Sequence, residues 1–190
     1  LNEPYVYASM FGIGSLTVGK DGPRTQDVRV LGEFYGAGPF TVYGRMIQQW
    51  GPMRTTGVGN DILLKASREI HLYNRAPGSG FYTNNGDITI WSSAYGNNNS
   101  NGFINVNDNV NFVSAMPANR VMPNNNVSFS PPANYRNATG GGNIVFAGGA
   151  ATDDMGPTGF AETRSGSYQG IIIGDGALNN TIYSGGGDIR

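Results

Sequence analysis

The chain has no cysteine and few charged residues. The absence of cysteine in 190 residues excludes disulfide bonds, thiolate chemistry and cysteine-based zinc sites. Charged residues make up only 13% of the sequence, about half of the roughly 25% that is usual in soluble domains. The net charge is −1 and the 12 Lys and Arg residues are scattered singly. A nucleic-acid-binding surface needs clustered basic residues, so we expect no nucleic-acid partner.

Long apolar runs and a second histidine are also missing. No stretch approaches the roughly 18 consecutive apolar residues of a membrane-spanning helix, so we expect no membrane insertion. With one histidine, His71, a metal site built on histidine alone is excluded. We predict neither a cofactor nor a bound metal. The sequence runs from Leu1 to Arg190 and stops inside a repeat-like unit, so we expect it to be a fragment of a longer protein.

Glycine is abundant instead, with 30 residues, and asparagine and serine accompany it. Lys, Arg and Glu normally fill the outer face of a helix, and here they are scarce. The composition therefore predicts an all-β protein whose surface is mostly neutral and polar.

A short pattern returns along the chain: a polar residue, a β-branched residue, any residue, then a large apolar residue. Examples are Asp61–Leu64, Glu69–Leu72, Asp87–Ile90, Phe103–Val106, Asn109–Phe112, Asn143–Phe146 and Gly170–Ile173. Apolar residues two apart point to the same face of a strand, so each unit offers two inward side chains. Such a strand cannot bury them alone, and either stacked coils or neighbouring chains must cover them. The intervals are irregular and match no fixed period.

The patterns divide the chain into four segments. Residues 1–58 carry longer alternating runs at roughly ten-residue spacing, which predicts a compact antiparallel β unit. Residues 59–115 form a short-repeat β shaft. Residues 116–142, rich in Pro, Asn and Gly, read as a connection. Residues 143–190 form a second short-repeat segment that we expect to continue beyond the fragment.

Two clusters combine aromatic rings with amides, the combination that binds sugars through ring stacking and hydrogen bonds to hydroxyls. From them we predict a glycan- or receptor-binding site at Tyr82, Asn84, Asn85, Trp91 and Tyr95. Aromatic packing at the corners of the fold is the alternative. We predict no catalytic residues.

Carboxylates lead several repeat units, namely Asp61, Glu69, Asp87 and Asp188. We expect them to line one edge of a stack. They would there be either solvated corner residues or oxygen ligands for Ca²⁺, and the lack of an EF-hand spacing favours solvated corners. His71 occupies the variable position of its unit, so we expect it to face outward.

The short β units Gly86–Ile90 and Gly187–Arg190, the Gly/Asn/Ser corners, the low charge and the absence of cysteine resemble bacteriophage tail fibres and related receptor-binding fibres. The resemblance covers most of residues 57–190. It implies an elongated homotrimeric fibre module with an interwoven shaft, located outside the cell on the virion. It further implies attachment to a bacterial surface glycan or outer-membrane receptor, contacts with other fibre or tail proteins, and no catalysis.

Two alternatives stay open. One is a β-helical polysaccharide hydrolase or lyase of the tailspike type, which as a hydrolase would need two carboxylates roughly 5–9.5 Å apart. The other is a bacterial surface adhesin or a virion decoration protein.

In a homotrimer we expect a core that is shared between the three chains. The residues predicted to face inward are Ile62, Leu64, Ile70, Leu72, Ile88, Ile90, Ile104, Val106, Val110 and Phe112. Lys65, His71 and Thr89 should face outward.

Overall fold

The computed structural model describes residues 5–6, 10–22, 26–74, 79–95, 102–115, 140–148, 170–174 and 179–190. All 17 regular elements in these ranges are β-strands, so the prediction of an all-β protein is confirmed. Within the same ranges no helix is long and apolar enough to cross a membrane.

The strands form three sheets, named A, B and C. Sheet A contains β1 (Tyr5–Val6), β4 (Val28–Val30), β7 (Ile47–Gln49), β10 (Ile70–Leu72), β13 (Ile104–Val106) and β16 (Ile171–Ile173). Sheet B contains β2 (Met10–Ile13), β5 (Phe34–Gly36), β8 (Met53–Val58), β11 (Gly80–Asn84), β14 (Asn111–Val113) and β17 (Ile182–Tyr183). Sheet C contains β3 (Leu16–Val18), β6 (Phe40–Gly44), β9 (Ile62–Ala66), β12 (Ile88–Trp91) and β15 (Ile144–Ala147).

Each strand from β1 to β14 pairs with the strand three places later, and every such pairing is parallel. The chain therefore passes from sheet A to B to C and then returns to A one level higher. One strand from each sheet makes one coil. The result is a three-sided stack of coils, a β-helix-like solenoid in which successive coils lie about 4.8 Å apart.

The predicted antiparallel unit over residues 1–58 is wrong. Its strands pair in parallel with the next coil, as β3 does with β6 and β5 with β8. The glycine-rich segments between these strands turn the chain from one sheet to the next rather than reversing it in a hairpin. Alternating side chains indicate a strand but not the direction of its neighbour. Sheet B continues across the predicted segment boundary at residue 58, because β8, which ends there, lies between β5 and β11.

The irregular repeat has a simple origin in the coils. Phe40, Ile62, Ile88 and Ile144 are paired in sheet C although they lie 22, 26 and 56 positions apart in sequence. The strands keep their register while the segments that join the sheets differ in length. A strict sequence period is therefore absent from a regular stack.

Stacked coils of one chain, rather than neighbouring chains, cover the inward residues. All ten predicted inward side chains are at most 1% exposed within the single chain, and they belong to one apolar cluster. Aromatic contacts link successive coils, with the ring centroids of Phe81 and Phe112 5.3 Å apart. The expected core shared between three chains is not what buries these residues, because each coil of the single chain closes the core of the next.

The predicted outward residues follow the expected alternation. In β9 and β10, Lys65 and His71 are partly exposed between fully buried neighbours, and Thr89 in β12 behaves in the same way. These side chains lie on the outer faces of the sheets, where they do not take part in the core.

Candidate functional site

The corner between sheets B and C carries a ladder of aspartate and asparagine side chains. On successive coils, the ladder residue comes directly before β9, β12, β15 and the bridge residue Ile189, which pairs with Ile144. The four ladder residues are Asp61, Asp87, Asn143 and Asp188. The Oδ1 atom of Asp61 accepts the backbone N–H of Asp87 at 2.8 Å. Asp87 Oδ1 accepts the N–H of Asn143 at 2.7 Å, and Asn143 Oδ1 accepts the N–H of Asp188 at 3.0 Å. Each side chain therefore satisfies a backbone donor of the coil above it.

The same corner repeats a hydroxyl and a close backbone contact. Thr55, Thr83, Ser114 and Ser184 each donate a hydrogen bond to a carbonyl oxygen just before the next sheet C segment. Glycines precede Asp87, Asn143 and Asp188 and pack against the coil below, and a Cβ atom at Gly86 would overlap the Asn60 carbonyl. The repeated hydrogen bonds and close backbone contacts at this corner stabilise the stacking of one coil on the next.

Three of the four predicted edge carboxylates share this corner. Asp61, Asp87 and Asp188 lie in the ladder, whereas Glu69 precedes β10 in sheet A. Partial burial raises the pKa of Asp61, the hydrogen bond from Asp87 opposes that shift, and the charge of Asp87 adds to it. In the described ranges no three His, Asp or Glu side chains are placed to hold a metal ion.

The predicted glycan-binding residues lie in three separate places and do not form one site. Tyr82 lies on the outer face of sheet B, and Asn84 and Asn85 lie at the B–C corner. Trp91 and Tyr95 lie at the end of β12 and just after it. Asn84 is buried and its Nδ2 donates to the Thr56 carbonyl at 3.0 Å. Asn85 is exposed with φ of 62°.

Tyr82 belongs to a stack of outward residues on sheet B. Tyr35, Arg54 and Tyr82 are in register on three coils, and the Arg54 guanidinium lies 4.3 Å from the Tyr82 ring centroid and 5.4 Å from that of Tyr35. Burial raises the pKa of Tyr82, and the charge of Arg54 opposes the shift. Because Tyr82 is 0% exposed, its ring offers no open face to a sugar.

Trp91 and Tyr95 meet around Lys65 on the outer face of sheet C. The Lys65 ammonium lies 4.6 Å from the Trp91 ring centroid and 4.9 Å from the Tyr95 centroid. It also pairs with Asp21 at 3.1 Å, and the Tyr95 hydroxyl accepts the N–H of Gly22 at 2.8 Å. Trp91 is only 6% exposed. These contacts hold Asp21 and Gly22, which follow β3, against the outer face of sheet C.

The outer face of sheet A holds an aromatic cluster that sequence reasoning missed. The rings of Trp50 and Tyr73 stack at 4.5 Å between centroids, with an interplanar angle of 14°. His71 lies 6.0 Å from Tyr73 and 5.0 Å from Phe103, whose ring meets it edge-on. Burial raises the pKa of Tyr73; the charge of Arg29 partly opposes this rise and the charge of Glu69 adds to it.

A row of polar side chains crosses the centre of this face. Arg29, Gln48, His71 and Asn105 are aligned on four successive coils by the parallel pairings of sheet A. All four are partly exposed. Each is the middle residue of a strand that is buried on either side, as in Ile47–Gln49 and Ile70–Leu72. The variable middle position of each repeat unit could have identified these residues as outward-facing. Which of them are neighbours becomes clear only when the strands that form one sheet are known.

No protein-family model, curated protein or solved structure shows a significant match to the chain.

Proposed function

We propose that the chain is a non-catalytic attachment module of a viral tail fibre. It acts on the virion, outside the cell, and binds a bacterial surface glycan or outer-membrane receptor. The observation that carries this proposal is the stack of coils, whose core is closed within one chain. Outward side chains are then not needed to complete the core and are free to vary for recognition.

The composition of the outer faces supports attachment. Their outward residues are mainly neutral polar and aromatic, as in the row Gln48, His71 and Asn105 beside Trp50 and Tyr73. Such side chains bind neutral, hydroxyl-rich ligands through hydrogen bonds and ring contacts. The stacked strands also hold these side chains at fixed separations, which lowers the entropic cost of binding.

Homotrimer formation is part of the fibre proposal, through the resemblance to trimeric fibres. Light scattering of the purified chain at micromolar concentration tests it, with a threefold mass expected. A monodisperse, folded monomer would remove trimerisation from the proposal.

A bacterial surface adhesin is the second candidate. The closed core supports attachment by either protein, and it favours the adhesin only on the question of partner chains, because a core closed by the coils of one chain does not need a trimer. A monomeric mass together with saturable binding to cells would favour the adhesin over the trimeric fibre.

Attachment is tested by incubating the labelled chain with bacterial cells of several surface types. We expect saturable binding to at least one type, displaced by excess unlabelled chain. Chain unfolded by heat serves as the control and should not compete. The proposal fails if binding is absent or unsaturable. It also fails if surface polysaccharide incubated with the chain yields new reducing ends or unsaturated sugars, which would indicate a hydrolase or lyase.

A further inference from the structure

The outer face of sheet A differs from the other two faces in the chemistry of its partly exposed middle positions. On sheet B the Tyr82 ring is fully buried. On sheet C the aligned side chains of Thr41, Leu63, Thr89 and Val145 are partly exposed, but hydroxyl and aliphatic groups alternate among them. On sheet A, Gln48, His71 and Asn105 are partly exposed on three successive coils and all carry hydrogen-bonding groups. His71 has 17% of its side chain exposed although rings lie on both sides of it.

We propose that this outer face binds a neutral glycan that runs parallel to the stacking axis, with the sugar hydroxyls bonded by Gln48, His71 and Asn105. The inference rests on the proposed attachment function and assigns it to a named surface. Successive coils are about 4.8 Å apart, which is close to the length of one pyranose unit. The row therefore presents one hydrogen-bonding side chain per sugar.

The chemistry of the row suits hydroxyl groups. The amides of Gln48 and Asn105 both donate and accept hydrogen bonds, and a neutral imidazole has one donor and one acceptor. A sugar hydroxyl has the same dual character, so each contact can be satisfied in either direction. On one side of the row, Trp50 and Tyr73 are stacked on each other and partly exposed, and their exposed parts add apolar contact beside the hydrogen-bonding side chains.

The charged side chains beside the row favour a neutral ligand. Among the described side chains in and beside this row, Arg29 carries a cation and Glu69 carries a carboxylate that lies 3.8 Å from His71 Nε2. These two charges offset each other, so the row itself offers no excess positive charge to an acidic polysaccharide. An anionic chain would also meet Glu69 beside the central histidine.

The test measures binding of neutral oligosaccharides of two to six hexose or N-acetylhexosamine units to the intact chain. We expect affinity to rise with length up to about three units, because the three bonding side chains lie on three successive coils. The double variant Gln48→Ala/Asn105→Ala should bind at least about tenfold more weakly, since two hydrogen bonds are lost. The matched control Thr41→Ala/Thr89→Ala changes the equivalent middle positions of sheet C and should bind like the wild type.

Several results would overturn the inference. They are no binding of any neutral oligosaccharide, tighter binding of hyaluronate than of neutral chains, or unchanged binding by the Gln48/Asn105 variant. Thermal unfolding of both double variants checks that the fold is kept, and His71→Gln provides a second variant that retains a hydrogen-bonding side chain. If the wild type and the Gln48/Asn105 variant attach equally well to cells, the assignment to sheet A fails while the attachment function stands. If the wild type does not attach, the attachment function fails.

Discussion

The B–C corner and the outer faces of the sheets are built on the same coils but follow different rules. At the corner each level repeats a hydroxyl, a tightly packed residue and an Asp or Asn whose oxygen bonds the next level. On the outer faces, neighbouring levels differ, as in Arg29, Gln48, His71 and Asn105 on sheet A. At the corner, the choice of residue is restricted because the side chain contacts the backbone of the next coil. On the outer faces, the choice of residue depends only on the neighbouring side chains that it contacts.

The largest effect should come from a charge in the core. Ile88→Asp places a carboxylate where the native side chain is 0% exposed, and an uncompensated buried charge costs about 3–5 kcal/mol or more. That is comparable to the whole stability of a small domain, so we expect loss of folding by circular dichroism. Thr89→Asp, the adjacent outward position, should stay folded. If both variants fold equally well, the distinction between inner and outer positions is wrong.

The corner should be nearly as intolerant of a single methyl group. In Gly86→Ala the new Cβ would overlap the carbonyl of Asn60 on the coil below, and we expect a loss of about 1–3 kcal/mol in the free energy of unfolding. Gly14 is the control, since a Cβ there meets nothing within 4 Å. Denaturant unfolding compares the two, and equal stability of Gly86→Ala and Gly14→Ala would contradict close stacking at this corner.

A smaller effect is expected on the outer face of sheet C. Lys65→Met removes the ammonium from Trp91 and Tyr95 and breaks the ion pair with partly exposed Asp21, for a loss of about 1 kcal/mol. Hydrogen exchange at the Gly22 amide should become faster, because its acceptor Tyr95 is held less firmly. Lys20→Met, at an exposed position nearby, is the control. Unchanged exchange at Gly22 would show that Lys65 does not hold this segment.

The smallest effect concerns the pH dependence of the ladder. The pKa of Asp61 is raised above its ordinary value of 3.8, chiefly by partial burial. The folded state then binds the proton more tightly than the unfolded state, so ionisation of Asp61 costs stability as pH rises from 3.8 through the raised pKa. Asp61→Asn keeps the acceptor for Asp87 and should abolish this decline. Identical pH profiles of stability for the two proteins would contradict it. The amplitude should be small because more than a third of Asp61 remains accessible to solvent, which screens the effect.

Local rules in the sequence were enough for the class of fold and for the direction of its strand side chains. Period-two alternation identified the inward set from Ile62 to Phe112 and the outward Lys65, His71 and Thr89. It did so because successive side chains on any strand point to opposite faces. The absence of cysteine and the shortage of helix-forming charged residues pointed to β-structure held by packing.

Strand direction, the closed single-chain core and the grouping of surface residues were decided only by the tertiary structure. Parallel pairing of strands three places apart joins residues such as Gln48, His71 and Asn105, which lie far apart in sequence. It also separates Tyr82 from Trp91, which are close in sequence but lie on different sheets. Side-chain alternation is a property of one strand, whereas a surface is formed by strands of several coils. The segments between those strands vary in length, and for that reason the sequence alone did not reveal which residues share a face.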